Sequence, residues 1–139
     1  MSDSPRLAEW ILEQTTDAVI YADRAGTILR WNQAATALFG HDAARALGQN
    51  LDLIIPEHLR TAHWKGFQAA MDSGRTRLAG RPAMTRAVHA NGDRLYVEMT
   101  FAVVKDDAGQ VIGSVAVARD ATERVQRERS GAGGEAPKR

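Results

Sequence analysis

DAVIYADRAGTILRWNQAATALFG, residues 17–40, contains two short apolar stretches, a turn and a helix start in direct succession. Residues 17–22 and 27–31 have the composition of strands. Asp23-Arg24-Ala25-Gly26 between them supplies turn residues, so the stretch predicts a β-hairpin. Asn32 stands where a helix cap is expected, and Gly40 ends the run of residues 33–39. The stretch therefore predicts a hairpin followed at once by a short helix.

Outward from this stretch, the chain alternates helical and extended patterns. Upstream, Leu7, Trp10 and Ile11 recur at helical spacing and predict a narrow apolar stripe on a helix. Downstream, residues 43–47 and 57–72 are expected to be helical. Three strands are expected at residues 76–89, 94–105 and 111–119, with turns at residues 91–92 and 106–109. This order predicts an α+β fold, with a five-stranded antiparallel sheet covered on one face by helices.

The same pattern divides the chain into four parts. Residues 1–16 are assigned to an N-terminal flanking amphipathic helix and residues 17–120 to the core. Residues 121–129 are assigned to the start of a C-terminal output helix. Residues 130–139, rich in glycine and polar side chains, are expected to form a disordered tail.

Composition limits the function classes. The 139 residues carry 18 basic and 17 acidic side chains, a formal net charge of +1, so neither nucleic acid nor an anionic membrane is an expected partner. The absence of cysteine excludes disulfides, thiolate nucleophiles and iron–sulfur clusters. No signal peptide or spanning apolar run is present in the sequence, so a cytoplasmic location is expected. No nucleophile elbow, phosphate-binding glycine loop or zinc-spaced cluster occurs, and the chain is not expected to be an enzyme.

The stretch IPEHLRTAHWKGFQAAM, residues 55–71, carries the sharpest chemical feature. At helical spacing, Leu59, His63, Gly66 and Phe67 share one face, so a single imidazole interrupts an apolar surface. A neutral imidazole is a good iron ligand, and a planar macrocycle needs an apolar slot. Glycine on that face would let a flat ring approach the backbone closely. A histidine that simply packs within the structure fits the same pattern.

Three stretches together resemble the PAS domain family. They are the hairpin and helix of residues 17–40, the turn Asn91-Gly92 with the alternating strand after it, and residues 109–124, which are similar to the junction between a PAS core and its output helix. The resemblance implies that residues 17–120 form a PAS core. It also implies a sensory module that holds a cofactor, small molecule or partner on the concave face of its sheet.

The segment around His63 resembles, more narrowly, the haem-binding PAS domains of bacterial oxygen-sensing histidine kinases. There a histidine follows a Pro-Glu-x-x-Arg motif, as His63 follows Pro56-Glu57 and Arg60 here. This implies haem b with His63 as proximal ligand and diatomic gas sensing. Met99 is a departure from those kinases, because its soft thioether could itself ligate iron as a second axial ligand. An arginine steadies bound oxygen in those kinases, and its place here is taken by Ala83. The residues that the resemblance assigns to the cofactor are Leu59, His63, Gly66, Phe67, Arg77 near a propionate, and Leu78, Met99 and Phe101 on the opposite side of the pocket.

Other interpretations remain open. A haem-free adaptor would form a homodimer through Leu7, Trp10 and Ile11. In either case a downstream or in-trans partner such as a histidine kinase is expected. A small organic or carboxylate ligand could hydrogen-bond to His63 in the same pocket, and a non-covalent flavin is a further alternative.

Overall fold

The computed structural model of the protein describes residues 5–135. Its helices are α1 (Leu7–Gln14), α2 (Gln33–Phe39), α3 (Ala43–Ala46), α4 (Arg60–Ser73) and α5 (Thr122–Glu135), with 3-10 turns at Leu51–Ile54 and Glu57–Leu59. Its strands are β1 (Ala18–Asp23), β2 (Ile28–Trp31), β3 (Ala83–Val88), β4 (Arg94–Lys105) and β5 (Val111–Asp120). The strands form one antiparallel sheet in the order β2-β1-β5-β4-β3. The predicted α+β fold with a five-stranded antiparallel sheet is confirmed.

The inner face of the sheet is defined by its register. Ala116 of β5 lies between Ile20 of β1 and Phe101 of β4, and Ser114 lies between Ala22 and Val103 in the next row. Paired residues of antiparallel strands point to the same side, so these rows share one face. The helices cover this face and bury an apolar core. Its members include Ile20, Ala22, Ile28, Trp31, Ala35, Phe39, Val97, Met99 and Ala118.

Asn32 joins the hairpin to the helices on either side of it. Its side chain is buried, and its Oδ1 accepts from the backbone N–H of Val19 at 2.9 Å and of Ala35 at 3.0 Å. Its Nδ2 donates to the carbonyl oxygens of Leu12 at 2.9 Å and Asp17 at 3.0 Å. The predicted cap is therefore confirmed, and the same side chain also holds the end of α1 against β1.

Two predicted elements are shorter than expected. The strand predicted at 76–89 is confined to Ala83–Val88, because the chain turns through Ala79 and Gly80, whose φ angles are 52° and 85°. Pro82 lacks the N–H that a ladder needs. The helix predicted at 57–72 begins as the 3-10 turn Glu57–Leu59, and α4 itself starts at Arg60.

The two flanking helices differ from expectation at their ends. None of the residues of α1 is buried, and the first four residues of the predicted 1–16 segment lie outside the described part of the chain. The α5 helix continues to Glu135, so residues 130–135 are helical where a disordered tail was expected. Once a helix is nucleated, each added residue gains one hydrogen bond, which offsets the poor propensity of the glycines. Residues 136–139 lie outside the described range. Between residues 5 and 135, no helix has the length and apolar character to cross a membrane.

Candidate functional site

A cavity of about 340 Å³ lies between α4 and the inner face of the sheet. Its apolar walls come from the sheet, from the 3-10 turn at Leu51–Ile54 and from α4. The lining residues are Ile20, Ala22, Leu51, Ile54, Ile55, Leu59, Ala62, His63, Phe67, Thr85, Arg86, Ala87, Met99, Phe101, Ser114 and Ala116. The volume falls in the range of small-molecule sites, which begins at about 300 Å³.

A second cavity of about 400 Å³ adjoins the first on the other side of His63. It extends beneath the later turns of α4 to the loop at residues 76–78. The two cavities share five lining residues, here called the waist: Ala62, His63 and Phe67 of α4, Phe101 of β4 and Ser114 of β5. His63 therefore faces both spaces from the helix side.

His63 is half-buried, and its Nδ1 is buried without a hydrogen-bond partner. Aromatic rings surround the imidazole: its centroid lies 4.6 Å from that of Trp64 and 5.9 Å from that of Phe67. Burial lowers the pKa of His63 below its usual value, and the negative charge of Asp52 offsets part of this shift. The imidazole is therefore held neutral near pH 7, with a nitrogen free to accept a ligand or a hydrogen bond.

Trp64 anchors the helix that carries His63. Its indole Nε1–H donates to the Oδ1 of Asp52 at 2.8 Å, and its six-membered ring lies against Gly26 in the turn between β1 and β2. Arg60 strengthens the start of α4, because its Nε donates to the carbonyl oxygen of Ile55 at 3.1 Å. The position of the imidazole is thus set by contacts outside the cavity.

Comparison with known proteins identifies the fold. The family model described as the PAS fold matches residues 12–126. The chain belongs to the PAS family. PAS domains are generally sensory modules rather than enzymes, so the protein is a sensory and signalling module in this broad sense.

Individual PAS relatives extend this result. An uncharacterised protein of Azorhizobium caulinodans is 33% identical over 94% of this chain. The oxygen sensor protein DosP of Escherichia coli is 26% identical, also over 94% of this chain. The chain spans only 17% of the length of each of these relatives. The crystal structure of a PAS domain from Colwellia psychrerythraea superposes with a TM-score of 0.75 at 19% identity, over 87% of this chain and 99% of that one, and shows the shared fold.

All eight residues assigned to a cofactor from the sequence line the two cavities of this PAS domain. Residues 77–80 form a turn rather than a strand, so Leu78 lies outside β3. Leu59 and Met99 line the first cavity, Gly66, Arg77 and Leu78 the second, and His63, Phe67 and Phe101 both.

Four polar residues of the cavities were not assigned to the site from the sequence. Thr85 and Arg86 line the first cavity, Thr76 lines the second, and Ser114 lines both. The alternation of β5 could have identified Ser114, because residues two apart on a strand point to the same face and Ser114 therefore shares the inner face with Ala116 and Ala118. Ala83 of β3 pairs with Met99 of β4. Within the described residues, no three His, Asp or Glu side chains are placed to hold a metal ion.

Proposed function

We propose that the protein binds haem in the paired cavities through His63 and senses a diatomic gas. The observation that carries the proposal is the imidazole of His63, which lines both apolar cavities and whose pKa is lowered by burial. A neutral imidazole is a good iron ligand.

The lining fits a flat apolar cofactor with charged edges. Leu59, Phe67 and Phe101 offer apolar contacts, and a Cβ added at Gly66 would meet nothing within 4 Å, so space is open beside the helix there. Arg77 is exposed at the second cavity, where its guanidinium would pair with a propionate. Haem would supply the iron centre at which a diatomic gas binds.

Met99 is the second residue of the proposed site that could bind iron. Its side chain is 6% exposed and lines the first cavity from β4, across from α4. A thioether is a soft ligand that suits iron, so Met99 would be a second residue that holds the haem iron. Position 83 carries alanine and not arginine, so no arginine at that position would contact a bound gas.

A route from the cavity to α5 runs along β4. This strand carries Met99 and Phe101, and the carbonyl oxygen of Tyr96 on the same strand accepts from the backbone N–H of Ala121 at 2.7 Å. The hydroxyl of Thr122 accepts from the N–H of Tyr96 at 2.9 Å. A displacement of β4 would therefore reach the first turn of α5. Such coupling requires a difference in ligand affinity between two arrangements, typically about 1–3 kcal/mol.

Relatives support this sensing role, since DosP is named an oxygen sensor protein. The direct test is titration of the purified chain with hemin, followed by absorbance. We expect a sharp Soret band that saturates at one hemin per chain. A broad band of free hemin, unchanged by the protein, would reject the proposal and favour a cavity that takes another small organic ligand, a carboxylate or a flavin.

A haem-free adaptor is the second candidate, and the surface of α1 favours it. Leu7, Trp10 and Ile11 are 36%, 44% and 58% exposed, although an amphipathic helix normally buries its apolar stripe. In this candidate the stripe forms a homodimer and the partner is a histidine kinase. Sedimentation of a Trp10→Glu/Ile11→Glu variant tests it: we expect a monomer where the parent chain dimerises. A parent chain that is monomeric at high concentration would reject this candidate. The cytoplasmic location stays a prediction.

A further inference from the structure

Ser114 lies at the waist on the side of the sheet, across from α4. It pairs with Ala22 of β1 and Val103 of β4, which places its side chain on the inner face. Within the described residues its hydroxyl makes no hydrogen bond. His63 enters the waist from α4, and its Nδ1 also has no partner. The waist therefore places the unpaired hydroxyl of Ser114 across from the imidazole of His63.

The rest of the waist is apolar. Ala62, Phe67 and Phe101 have no polar side-chain atoms, so within the waist only Ser114 and His63 carry polar side chains. A serine hydroxyl donates one hydrogen bond and accepts others, and a neutral imidazole does both. A ligand that hydrogen-bonds to polar groups in such surroundings binds more tightly, and a ligand that leaves these groups unpaired binds more weakly.

We propose that Ser114 selects the ligand, because its hydroxyl hydrogen-bonds to a polar atom of the molecule that occupies the waist. The ligand class is a flat, largely apolar molecule that places one hydrogen-bonding group at the waist. The inference deepens the proposed function, since it takes the cavities as a ligand site, but it does not require that the ligand be haem.

The test uses two probes of nearly equal shape, phenol and benzene, titrated into the full chain and followed by ¹H–¹⁵N NMR of the cavity strands. Apolar cavities of about 150 Å³ already admit benzene, so both probes have room. We expect the wild-type chain to bind phenol more tightly than benzene. Ser114→Ala should reduce the ratio of the two affinities by about two- to tenfold, the value of one hydrogen bond.

Thr100→Val is the matched control, because Thr100 of β4 alternates with the inward Met99 and Phe101 and lines neither cavity. It should leave the affinity ratio unchanged. Melting temperatures of both variants show that they fold. An unchanged ratio in Ser114→Ala would overturn the inference, as would an equal loss in Thr100→Val or the failure of both probes to shift any cavity resonance.

The hemin titration and the phenol and benzene titrations test haem binding and the role of Ser114 independently. A chain that shows no Soret band with hemin but a Ser114-dependent preference for phenol would reject haem and support Ser114. A chain that binds hemin, but whose preference for phenol does not depend on Ser114, would support haem and reject the role of Ser114.

Discussion

The six-membered ring of Trp64 rests directly on the backbone of Gly26, so α4 is supported by the turn between β1 and β2. Gly26 is buried and has a φ of 85°, a conformation that favours glycine. The indole N–H is meanwhile held by Asp52. A glycine in a turn far away in the sequence therefore sets the place of the helix that carries His63.

Gly26→Ala should destabilise the protein strongly. The new methyl group would collide with the Trp64 ring, and it would sit on a residue of positive φ. Overpacking costs about 1–3 kcal/mol and left-handed backbone about 1–2 kcal/mol, so we expect a loss of roughly 2–4 kcal/mol. Urea unfolding measures this free energy.

Gly92→Ala provides the control for Gly26→Ala. Its φ is 92°, but a methyl group there would meet nothing within 4 Å. Only the backbone cost of about 1–2 kcal/mol should appear. Equal losses in the two variants would mean that the contact between Trp64 and Gly26 adds no constraint of its own.

Asn32→Ala should cost more than the loss of an ordinary helix cap. The substitution removes the cap of α2 and leaves the N–H of Val19 and the carbonyl oxygens of Leu12 and Asp17 without this partner. A cap is worth about 1 kcal/mol and each further hydrogen bond about 1 kcal/mol, so we expect a loss of roughly 3–4 kcal/mol in urea unfolding.

Asn50→Ala is the matched comparison for Asn32→Ala, because Asn50 is exposed and its Oδ1 accepts only from the N–H of Asp52. Its loss should stay near the cost of a single cap, about 1 kcal/mol. If Asn32→Ala cost no more than Asn50→Ala, the hydrogen bonds that join α1 to β1 would carry no stability.

The stability of the haem-free protein should fall in mild acid because of His63. Burial lowers the pKa of this imidazole in the folded chain below the ordinary value of 6.5. The unfolded chain therefore binds the proton at a higher pH than the folded chain does. The free energy of unfolding is highest above the ordinary pKa and declines as the pH drops from there through the lowered folded value.

Urea unfolding across this pH window measures the effect, and His63→Gln should flatten the profile. His41→Gln serves for comparison, because burial also lowers the pKa of His41, with the nearby charge of Arg45 acting in the same direction. The side chain of His41 is less buried than that of His63, so His41→Gln should change the pH dependence of the free energy of unfolding by less. A profile unaltered by His63→Gln would show that this imidazole titrates normally.

Local pattern accounts for the parts of the fold that were predicted correctly. The hairpin and α2 follow from residues 17–40, where the turn and the cap are each encoded within a few positions. The alternation of β4 identified its inner face correctly, with Val97 at 0% and Met99 at 6% exposure. The strand predicted at residues 76–82 does not form, because the chain turns through Ala79 and Gly80 and Pro82 lacks the N–H that a ladder needs.

The site was only partly accessible to sequence reasoning. Helical spacing grouped Leu59, His63, Gly66 and Phe67 on one face, and all four line the cavities. The contact of Trp64 with Gly26 joins residues far apart in the sequence, so no local repeat of residue types predicts it. A single serine in a strand likewise does not indicate whether its hydroxyl has a hydrogen-bond partner in the folded protein.

The role of His63 is tested most directly by hemin titration of three chains, the wild type, His63→Ala and His58→Ala, followed by visible absorbance. His58 is an exposed histidine in the 3-10 turn that precedes α4, and it controls for adventitious imidazole binding. We expect the wild type and His58→Ala to share a sharp Soret band, which His63→Ala loses while it still folds. An identical band in His63→Ala would contradict the assignment of His63 as the haem ligand.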